Sequence, residues 1–192
     1  MLRHFLLLTP FAAMLAGCTA EDRTGTPILS TPSTPTRSTA TVPTRSQSTM
    51  AQAMLAEHNA ARADVGVGPL RYDENLASQA LDHARNLART GRLVHSAPGM
   101  RVSQGENLWA GTEGYYEFGQ MARGWIDERR YYRHAAFPDV STTGDWLAVG
   151  HYTQIIWRDT THVGCGIATG MGRDWLVCRY SPSGNVVGEL AY

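Results

Sequence analysis

The sequence contains no lysine and has no net charge. All 17 basic residues are arginines, and 17 acidic residues balance them. The arginines are spread along the chain without a cluster, so the sequence lacks the basic surface that nucleic-acid binding requires. The composition therefore argues against a nucleic-acid partner.

The sequence also lacks an apolar run long enough to span a bilayer comfortably. The run over residues 5–16, interrupted only by Thr9 and Pro10, has the length of the core of an export signal. It leads into Leu-Ala-Gly-Cys at residues 15–18, which resembles the lipobox of bacterial lipoproteins. That resemblance implies that Cys18 becomes a lipidated N-terminus after cleavage. An ordinary signal peptide with a chance cysteine is the alternative.

Residues 24–49 have few large apolar side chains. Eighteen of these 26 residues are Ser, Thr or Pro, and none is aromatic. Such a segment cannot bury enough surface to offset its conformational entropy, so we expect a disordered tether. We therefore divide the chain into a signal peptide (1–18), a tether (19–49) and a folded domain (50–192). The implied location is the bacterial cell envelope, at the outer membrane if the cell is Gram-negative, because Thr and not Asp follows Cys18.

Cysteine is scarce, with three residues in the whole chain. If Cys18 is acylated, only Cys165 and Cys178 remain, on the two arms of a β-hairpin predicted over residues 162–168 and 175–180. Export to an oxidising compartment favours a disulfide between them, with two free thiols as the alternative. In the chain-entropy model, closing this 14-residue loop contributes about 3 kcal/mol.

Helical periodicity and turn residues outline the rest of the folded domain. Three segments have the spacing of amphipathic helices: residues 50–64, 73–89 and 115–132. Thr49 and Asp73 are the expected N-caps of the first two helices, and Gly91 is the expected stop of the second. A strand or strand edge is expected over residues 102–110.

Four short segments carry a family resemblance. They are Gly-His-Tyr-Thr-Gln-Ile-Ile-Trp at 150–157, Cys-Arg-Tyr-Ser-Pro-Ser-Gly-Asn-Val at 178–186, His58-Asn59 with Arg62, and Gly-Glu-Asn-Leu at 105–108. Together they resemble the CAP superfamily of cysteine-rich secretory proteins, antigen 5 and plant pathogenesis-related 1 proteins. The resemblance implies an α+β fold, an α-β-α sandwich with a small antiparallel sheet between helical layers.

The same resemblance implies a site made of two histidines and two glutamates. Many members have these residues in a central cleft, and the matching positions here are His95, Glu106, Glu128 and His151. Glu128 follows Trp125 by three residues, so a helix over residues 115–132 would point both side chains inward.

Two imidazoles can bind a divalent metal such as zinc, although they supply only half of a tetrahedral shell. We therefore predict that His95 and His151 bind a metal with modest affinity, which weakens as the imidazoles protonate. Two alternatives remain open. One is a metal-dependent hydrolase acting on peptide or cell-wall material, although no His-Glu-x-x-His motif and no nucleophile with a paired base is present. The other is a structural adaptor whose four polar residues form a buried network.

The leading interpretation is a non-enzymatic, lipid-anchored extracytoplasmic protein. Its implied partners are the membrane and a small apolar or envelope-derived ligand, since CAP members elsewhere bind sterols or fatty acids.

Other histidines and tyrosines are given lesser roles. We expect His58 to be a structural partner in the first helix. We expect three histidines to be surface or turn residues: His83, His134 and His162. Four tyrosines flank the third helix, and we favour a core position for them over the lining of an apolar groove: Tyr115, Tyr116, Tyr131 and Tyr132.

The lipobox gives a direct prediction. A Cys18→Ala variant should be released from the membrane fraction or remain unprocessed, because it lacks the acylated residue. Cell fractionation together with mass spectrometry of the wild-type N-terminus checks this. Unchanged membrane fractionation of the variant, with no acyl mass on the wild type, would contradict the anchor.

Overall fold

Four strands lie between two layers of helices in the part of the chain that the structure describes. The structure is a computed structural model, and it describes residues 46–192. The helices are α1 (Gln47–Asp64), α2 (Glu74–Thr90), α3 (Phe118–Ile126) and α4 (Gly150–Ile155), and the strands are β1 (Arg71–Tyr72), β2 (Gly105–Thr112), β3 (His162–Gly170) and β4 (Arg173–Ser181). This is the α+β sandwich expected from the sequence.

The predicted signal peptide, Cys18 and the tether up to residue 45 lie outside the described residues. Within residues 46–192, no helix has the length and apolarity needed to cross a membrane.

The sheet is built around the β3–β4 hairpin. The strand order is β1-β3-β4-β2, with β1 parallel to β3 and the other pairs antiparallel. Met171 and Gly172 both have positive φ, 56° and 70°, which is the conformation that closes a two-residue hairpin. The turn is thus shorter than the 171–174 segment predicted from the sequence, and β4 begins at Arg173.

Helix α2 covers one face of the sheet at close range. Its buried residues include the whole stripe predicted from the sequence: Leu76, Ala80, Ala84, Leu87 and Ala88. The approach is close because β3 presents glycines to the helix. A Cβ added at Gly164 or Gly166 would lie 2.2 or 2.3 Å from the α2 backbone. Asp73 caps α2 through the N–H groups of Asn75 and Leu76, and Gly91 ends it in the left-handed conformation, both as predicted.

Helices α1, α3 and α4 cover the other face and enclose the larger core cluster. Arg62 of α1 is buried in this layer and donates to the carbonyls of Ile155, Trp157 and Thr160 at 2.8–2.9 Å. These carbonyls follow or end α4, so the guanidinium attaches α4 to α1 by satisfying main-chain acceptors that the helix itself cannot satisfy.

The predicted ends of α1 and α3 need correction. The N-cap of α1 is Ser46, whose hydroxyl accepts from the N–H of Thr49, so the cap lies three residues before the predicted cap at Thr49 and the helix begins at Gln47. Helix α3 begins after Glu117, which forms a capping box with Gln120, and it ends at Ile126. A 3₁₀ turn over Asp127–Tyr131 follows in place of the predicted helix to residue 132.

The predicted disulfide between Cys165 and Cys178 is confirmed. The two residues are directly opposite each other in the β3–β4 register, with Cα atoms 4.1 Å apart, and both are fully buried. The bridge therefore joins the two central strands of the sheet.

Reduction should destabilise the domain. Treating the wild-type chain with a thiol reductant should lower its free energy of unfolding by about 3 kcal/mol, because the unfolded chain gains the entropy of an open loop. Urea unfolding with and without reductant measures the difference. The matched control is the Cys165→Ala/Cys178→Ala variant, which has no bridge to reduce and should give the same curve in both buffers. An unchanged wild-type curve after verified thiol alkylation would contradict this role for the bridge.

Candidate functional site

A cleft of about 700 Å³ opens where β2 begins. Its walls come from residues 95–107, from the 3₁₀ turn Trp146–Ala148, from α4 and from residues 183–185 after β4. His95, Glu106 and His151 line the cleft, whereas Glu128 lies behind His151. The structure thus brings the four residues implied by the family resemblance into two His–Glu pairs.

The first pair, His151 with Glu128, joins α4 to the 3₁₀ turn Asp127–Tyr131. His151 Nδ1 donates to Glu128 Oε1 at 2.6 Å, while Glu128 Oε2 accepts from the main-chain N–H groups of His151 and Tyr152 at 3.0 and 3.1 Å. The Glu128 carboxylate therefore has two roles: it accepts from free N–H groups in the first turn of α4, and it orients the His151 imidazole. Trp125 stacks on the His151 ring, with ring centroids 5.9 Å apart.

The second pair joins the loop before β2 to the sheet. Glu106 Oε1 accepts from His95 Nδ1 at 2.8 Å and from the main-chain N–H of Ser96 at 3.0 Å. Its Oε2 accepts from Ser96 Oγ at 2.9 Å and lies 3.0 Å from Arg179 Nε. The Glu106 side chain is fully buried, while that of His95 is 53 % exposed, so the carboxylate acts as a buried support for an accessible imidazole.

The partners of Glu106 keep it ionised. Burial by itself raises the pKa of this carboxyl, but the hydrogen bonds from His95 and Ser96 and the positive charge of Arg179 outweigh burial and lower the pKa from 4.5 to about 2. A carboxylate can only accept, so the His95 nitrogen that faces it carries the proton.

Both imidazoles therefore use Nδ1 to donate to a carboxylate, and in its neutral form each keeps a lone pair on Nε2. This is the arrangement in which a carboxylate fixes the tautomer and orientation of a metal-binding histidine. The side chain of His151 is 32 % exposed, so both rings are accessible from the cleft. Among residues 46–192, no group of three or more His, Cys, Asp or Glu side chains is arranged to hold a metal ion.

Two residues that support the site were missed or misjudged from the sequence. His83 was predicted to be at the surface, but it is buried on α2, with Nε2 3.0 Å from the carbonyl of Val94 and 4.0 Å from Glu106 Oε2. Its place three residues after Ala80, on the buried stripe of α2, was a signal that it faces inward. Arg179 was not singled out, because its pairing with Glu106 depends on the β2–β4 register.

A second buried histidine supports the floor of the cleft. His58 is fully buried, with Nδ1 2.7 Å from the carbonyl of Met54 and Nε2 2.8 Å from the hydroxyl of Tyr180. Asn107 donates to that hydroxyl and to the carbonyl of His151. Burial lowers the pKa of His58 from 6.5 to about 4, so it is neutral at pH 7. The predicted structural role of His58 is confirmed.

The core prediction for the four tyrosines holds only in part. Tyr116 and Tyr132 pack against the larger core cluster, whereas Tyr115 and Tyr131 are 73 % and 41 % exposed. Tyr115 precedes α3, and Tyr131 is the last residue of the 3₁₀ turn that follows α3, so neither lies on an inward face of α3. None of the four lines the cleft.

Comparison with known proteins identifies the family. The chain belongs to the CAP family, the cysteine-rich secretory protein family, which matches residues 55–180. Pathogenesis-related protein 1B of Nicotiana tabacum is 38% identical over 142 residues, covering 73% of this chain and 80% of that protein. Pathogenesis-related leaf protein 4 of Solanum lycopersicum is also 38% identical over 142 residues, covering 73% and 82%.

Solved structures have the same fold. The crystal structure of NaASP2 with Zn²⁺ is 25% identical, covers 78% of this chain and 88% of that one, and has a TM-score of 0.63. The structure of BmVAL-1 is 23% identical, covers 77% and 84%, and also has a TM-score of 0.63. The α-β-α sandwich is therefore the CAP fold, as the sequence motifs predicted.

Because of Glu106, the stability of the folded domain should depend on pH in the acid range. The folded pKa of Glu106 lies below its unfolded value, so its stabilising contribution is complete above about pH 4.5 and is lost as pH falls toward 2. Glu106→Gln leaves Arg179 buried without its counter-charge, and we expect a loss of about 3 kcal/mol at pH 7. The difference from wild type should shrink as pH falls from 4.5 toward 2, because the Glu106 carboxyl of the unfolded wild-type chain takes up its proton in this range while the folded carboxyl is still ionised.

Urea unfolding between pH 7 and pH 2.5 measures that difference. Glu113→Gln, at an exposed carboxyl just after β2, is the matched control and should unfold like wild type at pH 7. A Glu106→Gln variant as stable as wild type at pH 7 would contradict the role of the buried ion pair.

Proposed function

We propose that this chain is an exported, lipid-anchored CAP-domain protein whose cleft binds a divalent metal through His95 and His151, and with it a small ligand. The observation that carries the proposal is the pair of accessible imidazoles on one cleft, each held through Nδ1 by its own carboxylate. A purely structural pair would not need its imidazole exposed to a cleft.

The residues present fit a zinc ion in donor type. Neutral imidazole nitrogen is a favoured zinc ligand, and the carboxylates hold both rings in the tautomer that leaves Nε2 available. Two protein ligands make half of a tetrahedral shell, and no third His, Cys, Asp or Glu completes it among residues 46–192. We therefore expect modest affinity, with water or a bound ligand completing the shell. NaASP2, which has the same fold, was crystallised with Zn²⁺, and this supports zinc as the first metal to test.

A bound zinc ion acts as a Lewis acid toward a ligand oxygen. Glu106 and Glu128 would orient the two imidazoles toward it, and Arg179 helps to keep Glu106 negative.

The rim of the cleft supports an apolar component in the ligand. Val102 and Leu147 are 72 % and 63 % exposed, and both line the cleft. Large aliphatic side chains exposed beside a polar floor suit a ligand with both apolar and polar groups, such as a sterol, a fatty acid or an envelope fragment. Anchoring through Cys18 would keep the domain at the membrane, where such ligands occur.

The position of Ser96 argues against hydrolysis by a serine nucleophile. Ser96 Oγ donates to Glu106 and accepts from Arg179 at 3.0 Å, so its partners are an ion pair and not an imidazole base. In the proposed function, Ser96 therefore supports Glu106 and does not act as a nucleophile.

Zinc should stabilise the folded wild-type chain. A ligand that binds only the folded state raises the melting temperature by an amount that grows with its concentration, and about 2.7 kcal/mol of stabilisation is expected at one hundred times Kd. Differential scanning fluorimetry with added zinc at neutral pH measures the shift. His95→Ala/His151→Ala should abolish it, while the control His134→Ala, at an exposed histidine outside the cleft, should keep it.

The same experiment separates a metal site from a structural network. If the four residues serve stability alone, wild type shows no response to zinc, and the double variant is less stable than wild type because Glu106 and Glu128 each lose the hydrogen bond from an imidazole. A melting curve of wild type that does not change with zinc would defeat the metal assignment.

A further inference from the structure

Strand β2 is an edge strand of the four-stranded sheet, because β4 is its only strand neighbour among residues 46–192. An edge strand has main-chain N–H and C=O groups on its outer side that no strand satisfies. The first residues of β2, Gly105 to Asn107, line the cleft. The register of the sheet determines which of these residues direct their main-chain N–H and C=O groups outward, away from β4.

The register turns the main chain of Glu106 outward. Cys165 directs its main-chain groups away from β4, since its C=O accepts from Gln47 and Tyr72 and its N–H donates to Tyr72. The 4.1 Å Cα separation from Cys178 likewise marks a pair without mutual hydrogen bonds. Main-chain directions alternate along a strand, so Cys178 bonds instead to β2, where it is opposite Asn107. Glu106, next to Asn107, therefore points its N–H and C=O away from β4.

A tryptophan confirms this direction further along the edge. Trp125 Nε1 donates to the carbonyl of Leu108 at 3.1 Å, which requires that carbonyl to face outward too. Leu108 is two residues after Glu106, so the two share the outer edge. The carbonyl of Leu108 is thus satisfied by α3, whereas the main-chain N–H and C=O of Glu106 have no hydrogen-bond partner within residues 46–192.

The unpaired groups are accessible from the cleft. Glu106 as a residue is 8 % exposed, while its side chain is 0 % exposed, so the remaining surface belongs to the main chain. A main-chain N–H and C=O that are almost buried and lack partners are costly, and the cost is removed when a ligand supplies the missing hydrogen bonds.

The His95 imidazole and the main chain of His151 lie on opposite faces of this edge. The Glu106 side chain reaches His95, whereas the Asn107 side chain donates to the carbonyl of His151. Successive side chains of a strand point to opposite faces, so the outer edge of Glu106 lies between the two histidines.

We propose that the cleft binds a peptide in an extended conformation, one residue of which pairs with the main chain of Glu106 as an added β-strand. This rests on the proposed function of the cleft as a ligand site, but it requires no metal. The exposed Val102 and Leu147 favour apolar side chains on the bound peptide.

The outward main-chain N–H and C=O of Glu106 favour a peptide over an acetylated sugar as the ligand. Glu106 presents a donor and an acceptor on the same side, and satisfying both requires a C=O and an N–H on one edge of the ligand. Two successive amides of an extended peptide provide them. A single acetamido group is planar and trans, so its N–H and C=O point in opposite directions and cannot meet both groups.

The experiment uses the full-length chain in EDTA and a library of N-acetylated, C-amidated hexapeptides. A selected peptide should shift the ¹H–¹⁵N resonance of the Glu106 main-chain amide. An N-methyl scan of that peptide should then find one position where methylation weakens binding at least tenfold. The neighbouring positions, whose N–H groups point away from β2, are the matched controls and should retain binding. One sensitive position is expected because the carbonyl of Leu108 is already occupied by Trp125.

Three results would overturn the proposal. They are the absence of any binding hexapeptide, a bound peptide that tolerates N-methylation at every position, and N-acetylglucosamine oligomers that shift the Glu106 amide when peptides do not. Failure of the metal site is detected by a separate experiment, in which the melting curve of wild type does not change with zinc. That outcome does not affect the peptide-binding result, because the peptide experiment is done in EDTA.

Discussion

The structure around the cleft depends on one buried charge, the carboxylate of Glu106. An ionised carboxyl removed from water is costly unless it is paired and hydrogen-bonded, and here the sheet itself supplies the pairing charge. Arg179 is directly opposite Glu106 in the β2–β4 register, while Ser96 and His95 complete the shell from the preceding loop. The same interaction that makes burial tolerable therefore fastens the loop and its histidine to the sheet.

The second histidine is held by the same chemistry through different elements. Glu128 serves both the imidazole of His151 and the first N–H groups of α4, and Arg62 attaches the other end of that helix to α1. Each imidazole thus has a carboxylate behind it and the cleft in front of it. The two supports come from opposite faces of the sheet, and the cleft with its open strand edge lies between them. This common design is why we regard the cleft as a binding site and not as a by-product of packing.

The sequence predicted local features well and long-range pairings less well. The Asp73 cap, the α2 stripe and the Cys165–Cys178 bridge were all predictable, because each follows from spacing and turn chemistry within a short segment. Family motifs added the fold and the four site positions. The burial of His83 was missed, although its spacing on α2 indicated it.

Other features depend on contacts that spacing does not encode. Arg179 finds Glu106 only through the strand register. Glu128 was expected to point inward from α3. It does face His151, but it lies on the 3₁₀ turn that follows α3 from Asp127 onward. Tyr115 and Tyr131 became exposed for the same reason, since α3 is shorter than its periodic pattern at both ends.

The central claim is that two carboxylates fix both cleft imidazoles as Nδ1–H tautomers with a bare Nε2. Long-range ¹H–¹⁵N correlation spectra of the histidine side chains at neutral pH, in the absence of metal, test it most directly. We predict a protonated Nδ1 and an unprotonated, pyridine-like Nε2 for both His95 and His151. A neutral ring with its proton on Nε2 and a bare Nδ1, for either histidine, would contradict the account, because that ring could then neither donate to its carboxylate nor offer an Nε2 lone pair to the cleft.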